Sequence, residues 1–206
     1  MSTKKELPQI LLVEGNDDQH VIWALLEKYA IPETFSVVDS KGIDNLFIQL
    51  PVRFKQSGIR TIGIIIDADT DIASRWQHLK GLLAAQGVAL SDFPTPSGTI
   101  VEGNIRFGVW IMPNNQISGM LEDFIRFLVP DKDPLLAMAD SILNSIEQQH
   151  LNKYIPAHRS KALIHTWLAW QEDPGTPMGL AITKRYLTTN PAICISFLDW
   201  IKAMYI

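Results

Sequence analysis

The chain has 206 residues, of which 47% are hydrophobic and 19% charged. That supports one sizeable core and excludes a disordered chain. The formal net charge of −4 argues against a protein that coats nucleic acid, but is compatible with an enzyme carrying one local basic strip.

A single cysteine, Cys194, lies in an apolar run, which predicts a buried small hydrophobe. It excludes a disulfide framework within the chain and a cysteine zinc site, and it suits a reducing cytoplasm. The polar start Met-Ser-Thr-Lys-Lys-Glu leads into a continuous apolar run of only Ile10 to Val13. That is too short for a signal peptide, and no stretch approaches the roughly 20 apolar residues of a membrane helix. The expected location is therefore the cytoplasm, away from membranes.

In chain order, Gln9 to Val13 is a short β-branched and leucine run closed by Glu14-Gly15. Asn16 or Asp17 can cap the following helix, whose apolar face is Val21, Leu25 and Tyr29. Asp17 and Asp18 are expected to be ordinary helix-start acids. Phe35 to Val38 is the second strand, followed by a helix from about Asp44 to Lys55 with Pro51 inside it. Thr61 to Ile66 is apolar without alternation, as a central parallel strand buried on both faces should be.

A helix carrying Trp76, Leu79, Leu82 and Leu83 comes next, with Asp71 as its expected cap. Ser91 to Asn104 is rich in Pro, Gly, Ser and Thr and predicts a loop or hairpin. Arg106 to Met112 is the fourth strand, and Leu121, Phe124, Ile125 and Leu128 make a helical stripe. Three further stripes follow: Leu135, Ala139, Ile142 and Ile146; Leu163, Trp167 and Trp170; and Ile193, Phe197, Trp200 and Met204. The tryptophans fall on such stripes and are expected in the core.

The alternation predicts an α/β fold with a mostly parallel four-stranded sheet flanked by helices. Residues 1–130 form the expected α/β core and residues 131–206 a helical C-terminal extension packed on it.

In such sheets ligands bind beyond the carboxyl ends of the strands. Strand one ends at Glu14 and strand three at Asp67-Ala68-Asp69. Asp67 and Asp69 project to one side of an extended backbone. Two unit charges about 4 Å apart repel by roughly 4 kcal/mol at an effective dielectric near 20, so the cluster should shift its pKa values or collect a cation. Hard carboxylate oxygens without histidine or cysteine favour Mg²⁺ or Mn²⁺. Such a cation can bridge phosphate oxygens in an in-line displacement.

Leu11-Leu12-Val13-Glu14-Gly15 followed by Ile64-Ile65-Ile66-Asp67-Ala68-Asp69 resembles the Toprim domain of topoisomerases, bacterial primases, recombination mediators and OLD (overcoming lysogenisation defect) nucleases. The resemblance implies that Glu14 is a catalytic acid or metal ligand and that Asp67 and Asp69 hold Mg²⁺. Over the whole chain, Gly108 to Asn115, Gly119 to Phe124, Lys161 and Trp167 to Glu172 resemble a small bacterial Toprim-like family related to the OLD nuclease domain.

By that resemblance Glu122 is a further metal ligand and Lys161 a catalytic lysine, although the Ser-x-Glu pattern of OLD proteins is replaced here by Ser118-Gly119 with Glu122 beyond. Each has an ordinary alternative: an acid in the first turn of a helix for Glu122, a solvated lysine for Lys161. His158 and Arg159 lie beside Lys161 and could extend a basic strip. The resemblance implies Mg²⁺-dependent phosphodiester chemistry on DNA or RNA, in phage defence or repair. It leaves room for a separate ATPase subunit, since no Gly-x-x-x-x-Gly-Lys-Ser/Thr is present, and for a homo-oligomer.

Two other classes remain open. One is a Toprim fold without catalysis that serves as an interaction or nucleic-acid-binding module. The other is a receiver-like domain with Asp67 as phosphoacceptor, from which the length of the chain and the paired Asp67-x-Asp69 depart. The histidines at 20, 78, 150, 158 and 165 form no triad or metal set in the sequence, and ordinary roles are expected for them.

Overall fold

A computed structural model describes residues 7–206, so the polar start at residues 1–6 lies outside the described residues. Five strands form one sheet: β1 (Gln9–Val13), β2 (Ser36–Asp39), β3 (Thr61–Asp67), β4 (Thr99–Val101) and β5 (Arg106–Met112), in the order β2-β1-β3-β5-β4. β1, β2, β3 and β5 are parallel, and β4 pairs antiparallel with β5. The sheet is mostly parallel as expected, with five strands rather than four. The additional strand is the short edge piece inside the Pro- and Gly-rich segment read as a loop or hairpin.

The helices are α1 (Asn16–Lys28), α2 (Ile43–Phe54), α3 (Ile72–Ala84), α4 (Leu121–Leu128), α5 (Pro134–Gln148), α6 (Arg159–Ala169), α7 (Met178–Thr183) and α8 (Ala192–Tyr205). Strand residues alternate between two cores. Leu11, Val13, Ile65, Trp110 and Met112 face α1, α4, α6, α7 and α8. Ile10, Leu12, Ile64, Val109 and Ile111 face α2 and α3. Among the described residues no helix is long and apolar enough to cross a membrane.

Two glycines dock the C-terminal helix. Gly63 of β3 and Gly108 of β5 are register partners on one face of the sheet. A Cβ would lie 2.2 Å from the Tyr205 hydroxyl at the first and 2.3 Å from the Met204 sulfur at the second. The notch lets α8 lie close to the sheet, where the Tyr205 hydroxyl donates to the Ile10 carbonyl at 2.8 Å.

Two stripe expectations need correction. In α5 the buried residues are Ala139 and Leu143, while Ile142 is exposed, because the helix meets α6 one residue round from the predicted face. Trp76, Trp110, Trp167 and Trp200 are in the core, Trp110 from a strand, but Trp23 is 44% exposed. It lies two positions from the buried Val21, on the opposite side of α1.

α1 and α7 cross at Gly179, where a Cβ would stand 2.6 Å from the His20 carbonyl oxygen. Backbone cannot yield as a flexible side chain can. Gly179→Ala is therefore expected to destabilise the protein by about 1–3 kcal/mol. Urea unfolding should show a lower midpoint with an unchanged slope. An unaltered midpoint would mean that the two helices are not held this close.

Candidate active site

The carboxyl ends of β1 and β3 lie where the strand order reverses, since β1 is followed by β2 on one side and by β3 on the other. The exit of β1 is fixed by backbone bonds to the exit of β2. Ser40 N–H donates to the Val13 carbonyl at 2.9 Å and Gly42 N–H to the Glu14 carbonyl at 2.8 Å. The Glu14 side chain turns toward β3, where its Oε2 accepts the Asp67 N–H at 3.3 Å. Asp67 Oδ1 in turn accepts the N–H of Leu121, the first residue of α4, at 3.0 Å. Glu122 follows and is buried.

α1 and α4 both begin at this point, so their N-terminal dipoles favour negative charge there. The N-cap of α1 is Gly15 rather than Asn16 or Asp17, and Asp18, in the first turn, accepts the Gly15 N–H on Oδ2 at 3.0 Å. Its other oxygen, Oδ1, is buried with no hydrogen-bond partner among the described residues.

Glu14, Asp17, Asp18, Asp39, Asp67 and Glu122 line one cleft of about 490 Å³ with the lysines Lys41 and Lys161. Six carboxylates thus face two ammonium groups. Burial pushes the Asp18 carboxyl up to about 7, with Glu14 and Glu122 adding repulsion. Burial also drives Asp67 well above the usual carboxylate range, reinforced by Asp18, Glu14, Glu122 and Asp69. Glu14 is raised by burial, offset by the Asp67 N–H that it accepts. The cleft gathers more carboxylates than its two lysines pair, and burial with mutual repulsion favours the protonated form of Asp18 and Asp67 unless a cation is bound.

The donor set fits a hard divalent cation. All the groups are carboxylate oxygens, and one of them is buried without a partner. Among the described residues no three His, Cys, Asp or Glu side chains stand close enough to chelate one ion by themselves. Mg²⁺ does not require that, because it keeps several waters and takes one or two carboxylates together with substrate phosphates.

Of the residues singled out in the sequence, Glu14, Asp67, Glu122 and Lys161 line the cleft. Lys161 is half exposed, with Nζ 3.6 Å from Glu122 Oε1, and His165 Nε2 stands 4.0 Å from the same oxygen. Asp69 sits beside the cluster in a left-handed turn at φ +52°, with its carboxylate held by Arg75. Asp71 caps α3 by accepting the Ser74 N–H at 3.1 Å. Arg159 does not extend a basic strip. Its guanidinium is taken by Asp140, Glu147 and Asn144, which tie α6 to α5.

Four charged cleft residues lie outside the set expected from the sequence: Asp17, Asp18, Asp39 and Lys41. Asp18 was read as a helix-start acid, which it is, but a carboxylate has a second oxygen free for another role. Lys41 follows β2, and the strand-end rule applied to that strand as well as to β1 and β3 would have flagged it.

The molecule is an α/β protein with an acidic cleft at the switch point of its sheet. It belongs to the family described as "Protein of unknown function (DUF3226)", whose match covers residues 8–206. Among solved structures it is similar to the C-terminal region of the Xanthomonas campestris pv. campestris OLD protein, at 14% identity and a TM-score of 0.49 over 96% of this chain and 95% of that one. No curated protein matches it.

Proposed function

We propose that the protein is a Mg²⁺- or Mn²⁺-dependent enzyme acting on nucleic-acid phosphodiesters, a nuclease of Toprim type. One observation carries this reading: Asp18, Asp67, Glu14 and Glu122 converge on one cleft, with an unpartnered buried carboxylate oxygen and opposed ionisation that a cation would relieve.

Glu14 and Asp67 would hold the cation, with Asp18 and Glu122 beside them and Asp69 at the margin. When bound, the cation supplies charge stabilisation for phosphate oxygens and lowers the pKa of water. Lys161, at the mouth of the cleft, places a point charge within reach of a substrate phosphate. A carboxylate left free of metal can take a proton from the attacking water.

The test is incubation of the native protein and Glu14→Ala with supercoiled and single-stranded DNA and with RNA. Native protein should cut in Mg²⁺ or Mn²⁺ and not in EDTA, and Glu14→Ala should be inactive. Equal cutting by both would remove Glu14 from the chemistry. The absence of a chelating triple among the described residues favours the alternative, a Toprim-fold binding module without catalysis. No cutting and no metal-dependent thermal shift would establish that alternative.

A further inference from the structure

α1 buries Val21, Ile22 and Leu25 against the sheet and turns Trp23 outward. The indole is partly exposed. It lines a groove of about 390 Å³ between α1 and α7, which runs close because Gly179 lets the two backbones approach. The His20 ring stands edge-on to the indole, with centroids 5.3 Å apart at 89°. Ala24 and Leu180 supply further apolar wall. Asn16 and Asp17 line both this groove and the acid cleft, so the two are neighbours along the start of α1.

We propose that this groove binds a base of a single-stranded nucleic acid, stacked on Trp23, while the adjoining phosphate lies in the acid cleft. The inference rests on the phosphodiester reading of that cleft. Every base offers a π-face to an exposed indole, so such a platform tolerates any sequence. Asp17 and Glu27 can accept a hydrogen bond from a base N–H, the N3–H of thymine included, and Asn16 and Thr183 can pair with either donors or acceptors on a base edge.

The charge distribution selects a single strand over a duplex. A duplex binder neutralises on the order of 6–10 phosphates, whereas among the described residues only Lys41 and Lys161 line this cleft as cations, and the whole chain carries −4. Affinity must then come from bases, whose faces a duplex hides. With two phosphate contacts, the salt dependence of binding to a single strand is shallow, with a slope of roughly −1.4 in log–log form.

The experiment is fluorescence anisotropy with Ca²⁺, an oxygen-seeking cation of looser geometry than Mg²⁺. The probes are a labelled oligothymidylate, an abasic strand of equal length and a duplex. The proteins are native, Trp23→Ala and Trp23→Phe. Native protein should prefer the thymidylate strand and lose tryptophan emission on binding it. Trp23→Ala should bind that strand about 5- to 150-fold more weakly, and Trp23→Phe should retain most of the affinity.

The abasic strand should bind weakly and alike to all three proteins. Undiminished binding by Trp23→Ala, equal binding of the abasic strand, or preference for the duplex would overturn the base site while leaving the metal-dependent chemistry standing. If no nucleic acid is bound or cut, both readings fall together.

Discussion

Asp67→Asn is expected to be more stable than the native protein in EDTA near pH 8, and inactive in Mg²⁺. Asparagine keeps the acceptor for the Leu121 N–H, now bonded at 3.0 Å to Asp67 Oδ1. What it removes is an acid whose ionisation burial and four neighbouring carboxylates oppose in the folded protein but not in the unfolded chain. Relieving such a site commonly gains about 0.5–2 kcal/mol, a few degrees in melting temperature for a chain of this size. Activity should fall by at least about 10²-fold, the scale of losing one preorganised electrostatic contact to the transition state.

Mg²⁺ should reverse the order of stability. A ligand at 100 times its Kd stabilises the native state by about 2.7 kcal/mol, and Asp67→Asn should lose most of that gain. Thermal melts of both proteins with and without Mg²⁺ decide the matter. If the variant melts lower in EDTA, or gains as much from Mg²⁺ as the native protein does, Asp67 is not the centre of a cation site.

The strands that carry the site were legible because their signal is local. β1 and β3 are unbroken apolar runs that stop at acids, as strands buried on both faces must where they leave the sheet. β4 was not, because three residues in a turn-rich segment carry no periodicity and its pairing is supplied by β5. Nor was the seat of α8, since the need for Gly63 and Gly108 to be small appears only when the strands are in register and Tyr205 and Met204 arrive. Trp23 was legible in principle. Two residues from Val21 is about 200° round a helix, which points away from the core. Arg159 and Lys161 are two apart in sequence, yet one is bound by α5 acids and the other faces the cleft, a division that only the α5–α6 contact decides.

Buried acids with raised pKa values give the stability a pH slope of known sign. Asp18 releases its proton at its ordinary value of 3.8 in the unfolded chain and near 7 in the folded one. Between those values the native state binds more protons than the unfolded state, so stability falls as pH rises across the window and levels off above it. The gap corresponds to roughly 4 kcal/mol at 1.36 kcal/mol per unit. Asp67 and Glu14 shift in the same direction, but protonating one relieves the others, so the contributions of the cluster do not simply add.

In EDTA, urea midpoints should therefore drop from about pH 5 to about pH 8, and Asp18→Asn should flatten the slope while keeping an acceptor for the Gly15 N–H. Saturating Mg²⁺ should oppose the drop. The cation competes with protons for the same oxygens, so it binds more tightly as pH rises. The two curves should converge at low pH and separate at high pH. Parallel curves would show that any bound Mg²⁺ sits away from these carboxylates, and an unchanged slope in Asp18→Asn would show that its buried oxygen is not where the proton resides.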